Sequence, residues 1–305
     1  MPEVRVGHQR WPVASGSNLL DALNDAGHNV PYSCRAGSCH ACLVRCVEGE
    51  PQDRNPAALS VTLREQGWRL ACQCLVVQDL LVAVFDPLSD GVSATVQSCD
   101  WLSPHVLRLR LLPERPLRYR AGQHVQLWSP DGVARPYSLA SLPEDDEFLE
   151  FHLDCRRPGA FTDQARQLKP ADQLRLGAVQ GGALHYDPDW QARPLWLLAA
   201  GTGLAPLWSV LREALRQEHQ GPIRLLHMAD EHYLAGPLQA LAERFPQLLV
   251  EQYRAGEPPP MRLPSRQTVA LVCGSPISVQ EFSRRLYLAG LPRSQLFADV
   301  FVGRG

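Results

Sequence analysis

The sequence predicts a multidomain α+β chain: a small α+β domain, then an antiparallel β-barrel, then an α/β domain built on a parallel sheet. Three observations predict it. Cysteines at 34, 39, 42 and 72 cluster early, inside a run of short strands around one helix. The middle third reads as short strands separated by turn signals. From Pro194 onward, apolar strands alternate with helical stretches, which is the logic of βαβ units. A chain of 305 residues has room for two or three domains. The divisions fall at 1–88, 92–188 and 190–305, with Asp86-Pro87-Leu88-Ser89-Asp90-Gly91 as a linker.

Composition narrows the class. With 45% hydrophobic and 20% charged residues and a net charge of −2, the chain reads as an ordinary soluble globular protein. No basic patch points to nucleic acid. The longest apolar run, Pro194-Leu195-Trp196-Leu197-Leu198-Ala199-Ala200, is too short for a membrane span. Nine cysteines, an odd number, and no leader-like start suit a cytoplasmic protein rather than a disulfide framework.

In the first domain, 4–6 and 11–13 are expected to pair as a hairpin around Gly7-His8. Ser17 is a candidate cap for a short helix through Leu19, Leu20, Leu23 and Ala26, ended by Gly27. Strands follow at 42–47, 70–77 and 80–85. Between helix and strands lies Pro31-Tyr32-Ser33-Cys34-Arg35-Ala36-Gly37-Ser38-Cys39-His40-Ala41-Cys42. The spacing is C-x4-C-x2-C with a further cysteine about thirty residues on, the plant-type [2Fe–2S] pattern. Soft thiolates suit iron–sulfur clusters. Gly37 and the small Ala36, Ser38 and Ala41 let the loop wrap closely and aim N–H groups at sulfur, and His40 is expected to point outward. Spacing leaves the fourth ligand open. In a strand over 70–77, Cys72 and Cys74 would share one face. Zinc prefers paired C-x2-C knuckles, and only Cys39/Cys42 make one. Cys46, Cys74, Cys99 and Cys155 read as packing residues.

In the barrel, strands are expected at 105–111, 123–128 and 148–153. The run Arg135-Pro136-Tyr137-Ser138 offers a guanidinium fork for phosphate, an aromatic face for a flat ring and a hydroxyl. Gly159-Ala160-Phe161-Thr162 opens a helix through Ala165 and Leu168, whose start can hold a pyrophosphate. In the last domain, strands at 195–199, 223–227 and 269–273 alternate with helices at 207–217 and 238–245. Gly201-Thr202-Gly203-Leu204-Ala205-Pro206 joins strand to helix as a glycine-rich phosphate turn, although Pro206 stands where a third glycine would. Cys273-Gly274-Ser275-Pro276 ends a strand at the edge where open α/β sheets gather their sites.

Together these motifs resemble the ferredoxin–flavin reductase components of multicomponent bacterial oxygenases, of the benzoate dioxygenase and of the phenol and methane monooxygenase types. The resemblance covers nearly the whole chain in the same order. It implies a β-grasp plant-type ferredoxin domain, an antiparallel β-barrel FAD domain and a ferredoxin-reductase-like NAD domain. Leu70-Ala71-Cys72-Gln73 matches the family's fourth-ligand run, so the resemblance makes Cys72 the ligand and not Cys74. It assigns Arg135, Tyr137 and Ser138 to the FAD, with Ser138 near the hydride-accepting atom. Gly159, Ala160, Phe161 and Thr162 match the flavin pyrophosphate turn, with Thr162 where the family has Ser, and His152 matches a strand position that lines the FAD. Gly201, Thr202, Gly203, Leu204 and Pro206 match the nicotinamide-cofactor turn. Cys273, Gly274 and Pro276 match the nicotinamide site, and Phe301 the aromatic that covers the flavin. One departure is Gly177-Ala178-Val179-Gln180-Gly181-Gly182, where the family has Gly-Pro-x-Gly.

The implied activity is NADH-dependent electron transfer, from NADH to FAD to [2Fe–2S] to a separate oxygenase or hydroxylase protein, by a monomer. Asp230, in His227-Met228-Ala229-Asp230-Glu231-His232, favours NADH over NADPH because an acid suits a free ribose hydroxyl. Residues 1–88 carry nine acids against seven arginines, so steering of a partner by charge is expected to be modest. The alternatives are a stand-alone NADH reductase of small acceptors, a partner of a non-oxygenase enzyme such as a deoxysugar dehydrase, and a non-catalytic electron carrier or binding module with degenerate flavin and nucleotide domains. Intact Arg135-to-Ser138 and Gly201-to-Pro206 runs argue against the last.

Overall fold

Strand Glu3–Val6 turns at Gly7 and His8 and pairs antiparallel with Gln9–Pro12, Val4 facing Trp11. This is seen in a computed structural model that describes residues 1–37, 39–257, 259 and 261–302. Ser38, expected among the small loop residues, and the last three residues of the expected third domain lie outside the described residues. The chain divides into two units, Met1–Gly91 with Ala134–Pro136, and Val92–Val133 with Tyr137–Val302.

In the first unit, five strands form a mixed sheet in the order Gln9–Pro12, Glu3–Val6, Leu80–Ala83, Leu43–Glu48, Trp68–Leu70. Alternate residues face inward, as a half-buried strand requires: Val44 and Cys46, then Leu80 and Val82, are buried. Helix Leu19–Asp25 shares their core through Leu19, Leu20 and Leu23. Each of these leucines is fully buried, worth roughly 1.5–3 kcal/mol apiece relative to exposure.

Two local expectations give way. Asn18, not Ser17, caps the helix: its Oδ1 accepts from the Leu20 N–H at 3.1 Å and the Asp21 N–H at 3.4 Å. Ser17 is instead a strand residue paired with Val76. The single strand expected over 70–77 is broken. Trp68–Leu70 ends in a 3-10 turn at Ala71–Gln73, and Cys74–Val76 starts a different sheet beside Ser17–Asn18 and Gln52–Asp53. Cys72 and Cys74 therefore do not share a strand face.

The chain after residue 91 forms two sheets. Six strands take the order Ala134–Ser138, His124–Trp128, Gln173–Gln180, Val92–Ser103, Val106–Pro113, Leu149–Asp154. The Ala140 N–H donates to the Glu150 carbonyl at 2.8 Å, which ties the chain just after the first of these strands to the last. The other sheet is wholly parallel, in the order Leu248–Tyr253, Ile223–Met228, Leu195–Ala200, Val269–Gly274, Leu296–Val300. Helices Leu204–Arg216, Ala235–Arg244 and Pro276–Leu288 flank it. The strand at 248–253, the helix at 276–288 and the strand at 296–300 have no counterpart among the elements expected from sequence. Ser209 joins the two layers: its Oγ accepts from the Gly122 N–H at 3.1 Å and lies 3.0 Å from the Leu139 carbonyl. Arg212 adds a bidentate pair with Asp146 at 2.6 and 2.8 Å.

Strand order reverses at Leu195–Ala200, which lies between Ile223–Met228 and Val269–Gly274. Such a switch point opens a crevice at the carboxyl ends of the strands. Here the crevice floor depends on two glycines. A Cβ on Gly203 would lie 2.3 Å from the Cys273 carbonyl oxygen, and one on Gly274 would lie 2.7 Å from the Ala200 Cβ. Gly203→Ala is expected to cost about 1–3 kcal/mol by overpacking. Gly236→Ala, where a Cβ meets nothing within 4 Å on a helix, should be neutral or stabilising. Thermal melts of the two variants check this, and equal melts would contradict it.

Candidate functional site

The cysteine loop is built by left-handed backbone. Arg35, Gly37 and His40 have φ of 51°, 84° and 52°. At Gly37 a Cβ would also press on Asn55 Nδ2 at 3.3 Å and Gln73 Cγ at 3.4 Å. This curl turns N–H groups toward sulfur. The N–H groups of Ala36 and Cys39 each reach Cys34 Sγ at 3.3 Å, and the Cys34 N–H reaches Cys39 Sγ at 3.5 Å. The Gly37 N–H donates to Cys72 and the Ala41 N–H to Cys39. His40, expected to point outward, is half-buried.

The sulfurs come in two pairs. Cys39 bonds to Cys34 through the side chains, and Cys42 to Cys72. Cys42 sharing its proton holds the Cys72 thiol down at about 7 against the pull of burial, with the Gln73 amide helping. The donors in these pairs are raised correspondingly: Cys39 by its bond to Cys34, then by burial, and Cys42 by its bond to Cys72, then by burial. Among the described residues no three His, Cys, Asp or Glu side chains converge as ligands of one ion. Two cysteine pairs under inward N–H donors would, on losing their protons, offer the four soft sulfur ligands such a group takes, so the residues fit a [2Fe–2S] group. Cys74 is apart from them, fully buried in the core, its thiol pushed up by burial and then by Asp53.

Two residues that sequence reasoning missed hold this loop. Gln73 Nε2 donates to the Arg35 carbonyl at 2.8 Å and lies 3.3 Å from Cys72 Sγ. Asn18 Nδ2 donates to the Cys72 carbonyl at 2.9 Å while its Oδ1 caps the helix. On the outer side, Arg35 is exposed, pairs with Asp21 at 2.6 Å and stacks over Tyr32.

Among the flavin candidates, Arg135 and Tyr137 are half-buried and Ser138 is buried. Arg135 Nη1 donates to the Ala134 carbonyl. The Tyr137 ring lies 5.2 Å from that of Phe161, tilted by 47°. Thr162 Oγ1 donates to the Gly159 carbonyl at 3.1 Å, and the Gly159 N–H to Asp163 at 3.1 Å, which tightens the start of helix Ala160–Ala165. His152, expected to line a cofactor, has a wholly buried side chain. Its Nε2 faces Glu150 at 2.9 Å and its Nδ1 the Tyr233 hydroxyl at 3.3 Å. Burial works to raise Glu150, but His152 and Arg110 outweigh it and bring that carboxyl to about 2.

At the switch point, Gly201 has φ of 55°, and the one heavy atom near its missing Cβ is Arg156 Nη2 at 3.5 Å. Gly201 and Thr202 are the half-buried part of the turn, whereas Gly203, Leu204 and Pro206 are buried. Leu204 packs in the core, so its side chain anchors the helix. Cys273 is fully buried, its thiol raised by burial. Pro276 is exposed and starts its helix. Phe301 is half-buried, its N–H bonded to the Gly274 carbonyl at 2.8 Å, and it packs against the same core as Cys273. Asp230 is exposed.

Arg156 is the charged group that sequence reasoning missed. It comes from the barrel, held by Asp154 at 2.5–3.1 Å, and feels Asp230 and Glu231 across the crevice. Nothing local marks it, because the Asp154-x-Arg156 pair reads as any solvated strand end.

Two family models match the chain. One, for a 2Fe-2S iron–sulfur cluster binding domain, matches residues 5–77; the other, for an oxidoreductase FAD-binding domain, matches 94–186. The chain is 30% identical over 317 residues to reductase component 2 of terephthalate 1,2-dioxygenase from Comamonas sp, covering 95% of this chain and 94% of that one. It is 31% identical over 322 residues to the ferredoxin–NAD(+) reductase component of the alkene monooxygenase system of Xanthobacter autotrophicus, covering 94% and 96%. The Amycolatopsis cytochrome P450 reductase GcoB superposes with a TM-score of 0.67 over 99% of each chain, at 26% identity.

The broken strand gives a direct test. Cys72→Ala should abolish the visible absorption of an iron–sulfur cluster, and Cys74→Ala should retain it. Loss in both, or retention in both, would contradict the pairing of Cys72 with Cys42.

Proposed function

Because the chain belongs to the iron–sulfur flavoprotein reductase components of oxygenase systems, we propose that it passes electrons from NADH, through FAD and a [2Fe–2S] cluster, to a separate oxygenase or hydroxylase protein. The observation that carries this reading is the presence, in one chain, of two thiol pairs under N–H donors and an open glycine turn at a sheet switch point. When bound, the flavin takes a hydride and the cluster handles single electrons, which converts two-electron into one-electron chemistry.

The chain's own residues bind, orient and tune. Cys34 and Cys39 would hold one iron, and Cys42 and Cys72 the other. The N–H groups of Ala36, Gly37, Cys39 and Ala41 stabilise negative charge on those sulfurs, so they set the potential. The partner would approach over exposed Arg35 and Ala36. In the region we assign to the flavin, residues 92–188, Arg135 supplies charge for phosphate. Tyr137 and Phe161 supply aromatic faces, Ser138 a hydroxyl near the reacting atom, and Gly159, Ala160 and Thr162 the pyrophosphate turn. His152 acts from behind, as a buried support for that wall.

In residues 190–305, the nucleotide's diphosphate would lie at Gly201 and Thr202, with Arg156 as the nearest cation. Gly203, Leu204 and Pro206 hold the turn in place. The buried Cys273 and Gly274 form the floor under the nicotinamide, with Pro276 and Phe301 at its rim. Charge supports NADH over NADPH. Asp154, Asp230 and Glu231 together outnumber the cationic partners they face, Arg156 and, when it is protonated, His105, so a 2′-phosphate there would meet net negative charge. Among the described residues no helix is long and apolar enough to cross a membrane. We place a monomer in the cytoplasm, where the cysteines outside the cluster set, Cys46, Cys74, Cys99, Cys155 and Cys273, stay reduced.

Anaerobic titration with NADH tests the relay: flavin and cluster bands should bleach together, with about three electrons taken up per protein. Cys34→Ser should keep NADH oxidation by two-electron acceptors and lose cytochrome c reduction; survival of both would sink the route. NADH should exceed NADPH in kcat/KM by about tenfold or more, and parity would remove Asp230 from the specificity assignment.

A further inference from the structure

A buried column of polar groups runs from the barrel to the glycine turn. Arg110 Nε donates to Glu150 at 2.7 Å, Glu150 accepts from His152, and His152 Nδ1 faces the Tyr233 hydroxyl. Tyr233 packs edge-on against His227, with ring centres 5.6 Å apart. His227 is fully buried, and its Nε2 lies 3.0 Å from the Gly201 carbonyl oxygen. None of the roles assigned above uses His227.

A carbonyl oxygen can only accept, so His227 Nε2 carries the proton. Burial brings the ring's pKa down to about 4, so at neutral pH its Nδ1 is a bare lone pair. His232 Nδ1, 3.4 Å away, then has to be the donor in that contact. The tautomers of both rings are fixed by this chain of partners. The consequence falls on the next residue. A trans peptide is planar, with C=O and N–H pointing in opposite directions. With the Gly201 carbonyl held inward by His227, the Thr202 N–H points away from the interior that His227 occupies.

We propose that His227 is a positioning residue: by holding the Gly201 carbonyl it sets the Gly201–Thr202 peptide so that the Thr202 N–H is presented to the diphosphate of the pyridine dinucleotide. This rests on the reading of the Gly201 turn as the nucleotide site. Within the turn the Leu204 N–H also reaches this carbonyl, shared with that of Thr202, and at φ of 55° Gly201 leaves the peptide room to shift, so His227 is the restraint from outside the turn. On the other side, the Cys273–Gly274 backbone against Gly203 supplies a second restraint. Removing the imidazole leaves the carbonyl with the Leu204 N–H as its remaining donor, so the peptide loses the partner that holds it from outside the turn.

ADP-ribose, which carries the diphosphate without nicotinamide, is the probe. Calorimetric titration into the FAD- and cluster-loaded protein compares wild type with His227→Leu, His227→Gln and Gly201→Ala. His227→Leu should weaken binding about tenfold and raise the KM for NADH in step, with kcat within about twofold. His227→Gln, whose amide N–H can reach the same carbonyl, should recover most of the loss. Unchanged affinity in His227→Leu overturns the proposal. If Gly201→Ala weakens binding and His227→Leu does not, the failure is confined to His227; if neither does, the nucleotide reading of the turn falls as well. Nitrogen-15 NMR of the wild-type imidazoles decides the matter even where the leucine variant does not fold. A neutral Nε2–H tautomer at pH 7 is expected, and an Nδ1–H tautomer or an imidazolium overturns the proposal.

Discussion

Backbone packed against backbone at the sheet switch point is the constraint on which the second unit depends. Gly203 sits where any side chain would strike the Cys273 carbonyl, and Gly274 where it would strike Ala200. This contact draws strands Leu195–Ala200 and Val269–Gly274 together at their ends, and helix Leu204–Arg216 starts directly above it. The helix then carries Ser209 and Arg212 to the barrel, so barrel and parallel sheet meet through a residue set that the glycines position. Glycine in such turns is usually read as room for a ligand. Here Gly203 and Gly274 serve the protein's own packing, and Gly201 alone keeps open space.

The cysteine loop solves a different problem with similar means. Thiolates in pairs repel, and what offsets that repulsion is a ring of N–H dipoles aimed inward. Three residues with positive φ achieve this, two of them not glycine. Arg35 tolerates the conformation while tied to Asp21 and Tyr32 on the outside and to Gln73 through its carbonyl. Its side chain and its backbone therefore do separate work on opposite faces of the loop.

Much of this was legible in the sequence where the signal is local. Cysteine spacing, the Gly201-to-Pro206 run and the apolar strands 195–200, 223–228 and 269–274 carry their own periodicity or chemistry. The misses have physical causes. Ser17 and Asn18 are both good caps and both pair with strand Cys74–Val76, but Asn18 stands directly before the first helical residue, Leu19, and so takes the cap. The run at 70–77 has strand composition throughout, yet Cys72 has to leave the strand to meet Cys42, and tertiary demand overrode propensity. Arg156 and Tyr233 act over more than forty residues of separation from their neighbours at Gly201 and His152, a distance at which sequence pattern is silent. His152 matched a motif position, and its buried contacts with Glu150 and Tyr233 were not legible because Tyr233 lies in another part of the chain.

Asn18 holds two ends of the first unit with one side chain. Its oxygen secures the first turn of helix Leu19–Asp25, and its nitrogen secures the Cys72 carbonyl. Whatever loosens one loosens the other. The order of the cysteine loop and the order of the helix are thus one property, because a single planar amide cannot serve either partner from a position that loses the other.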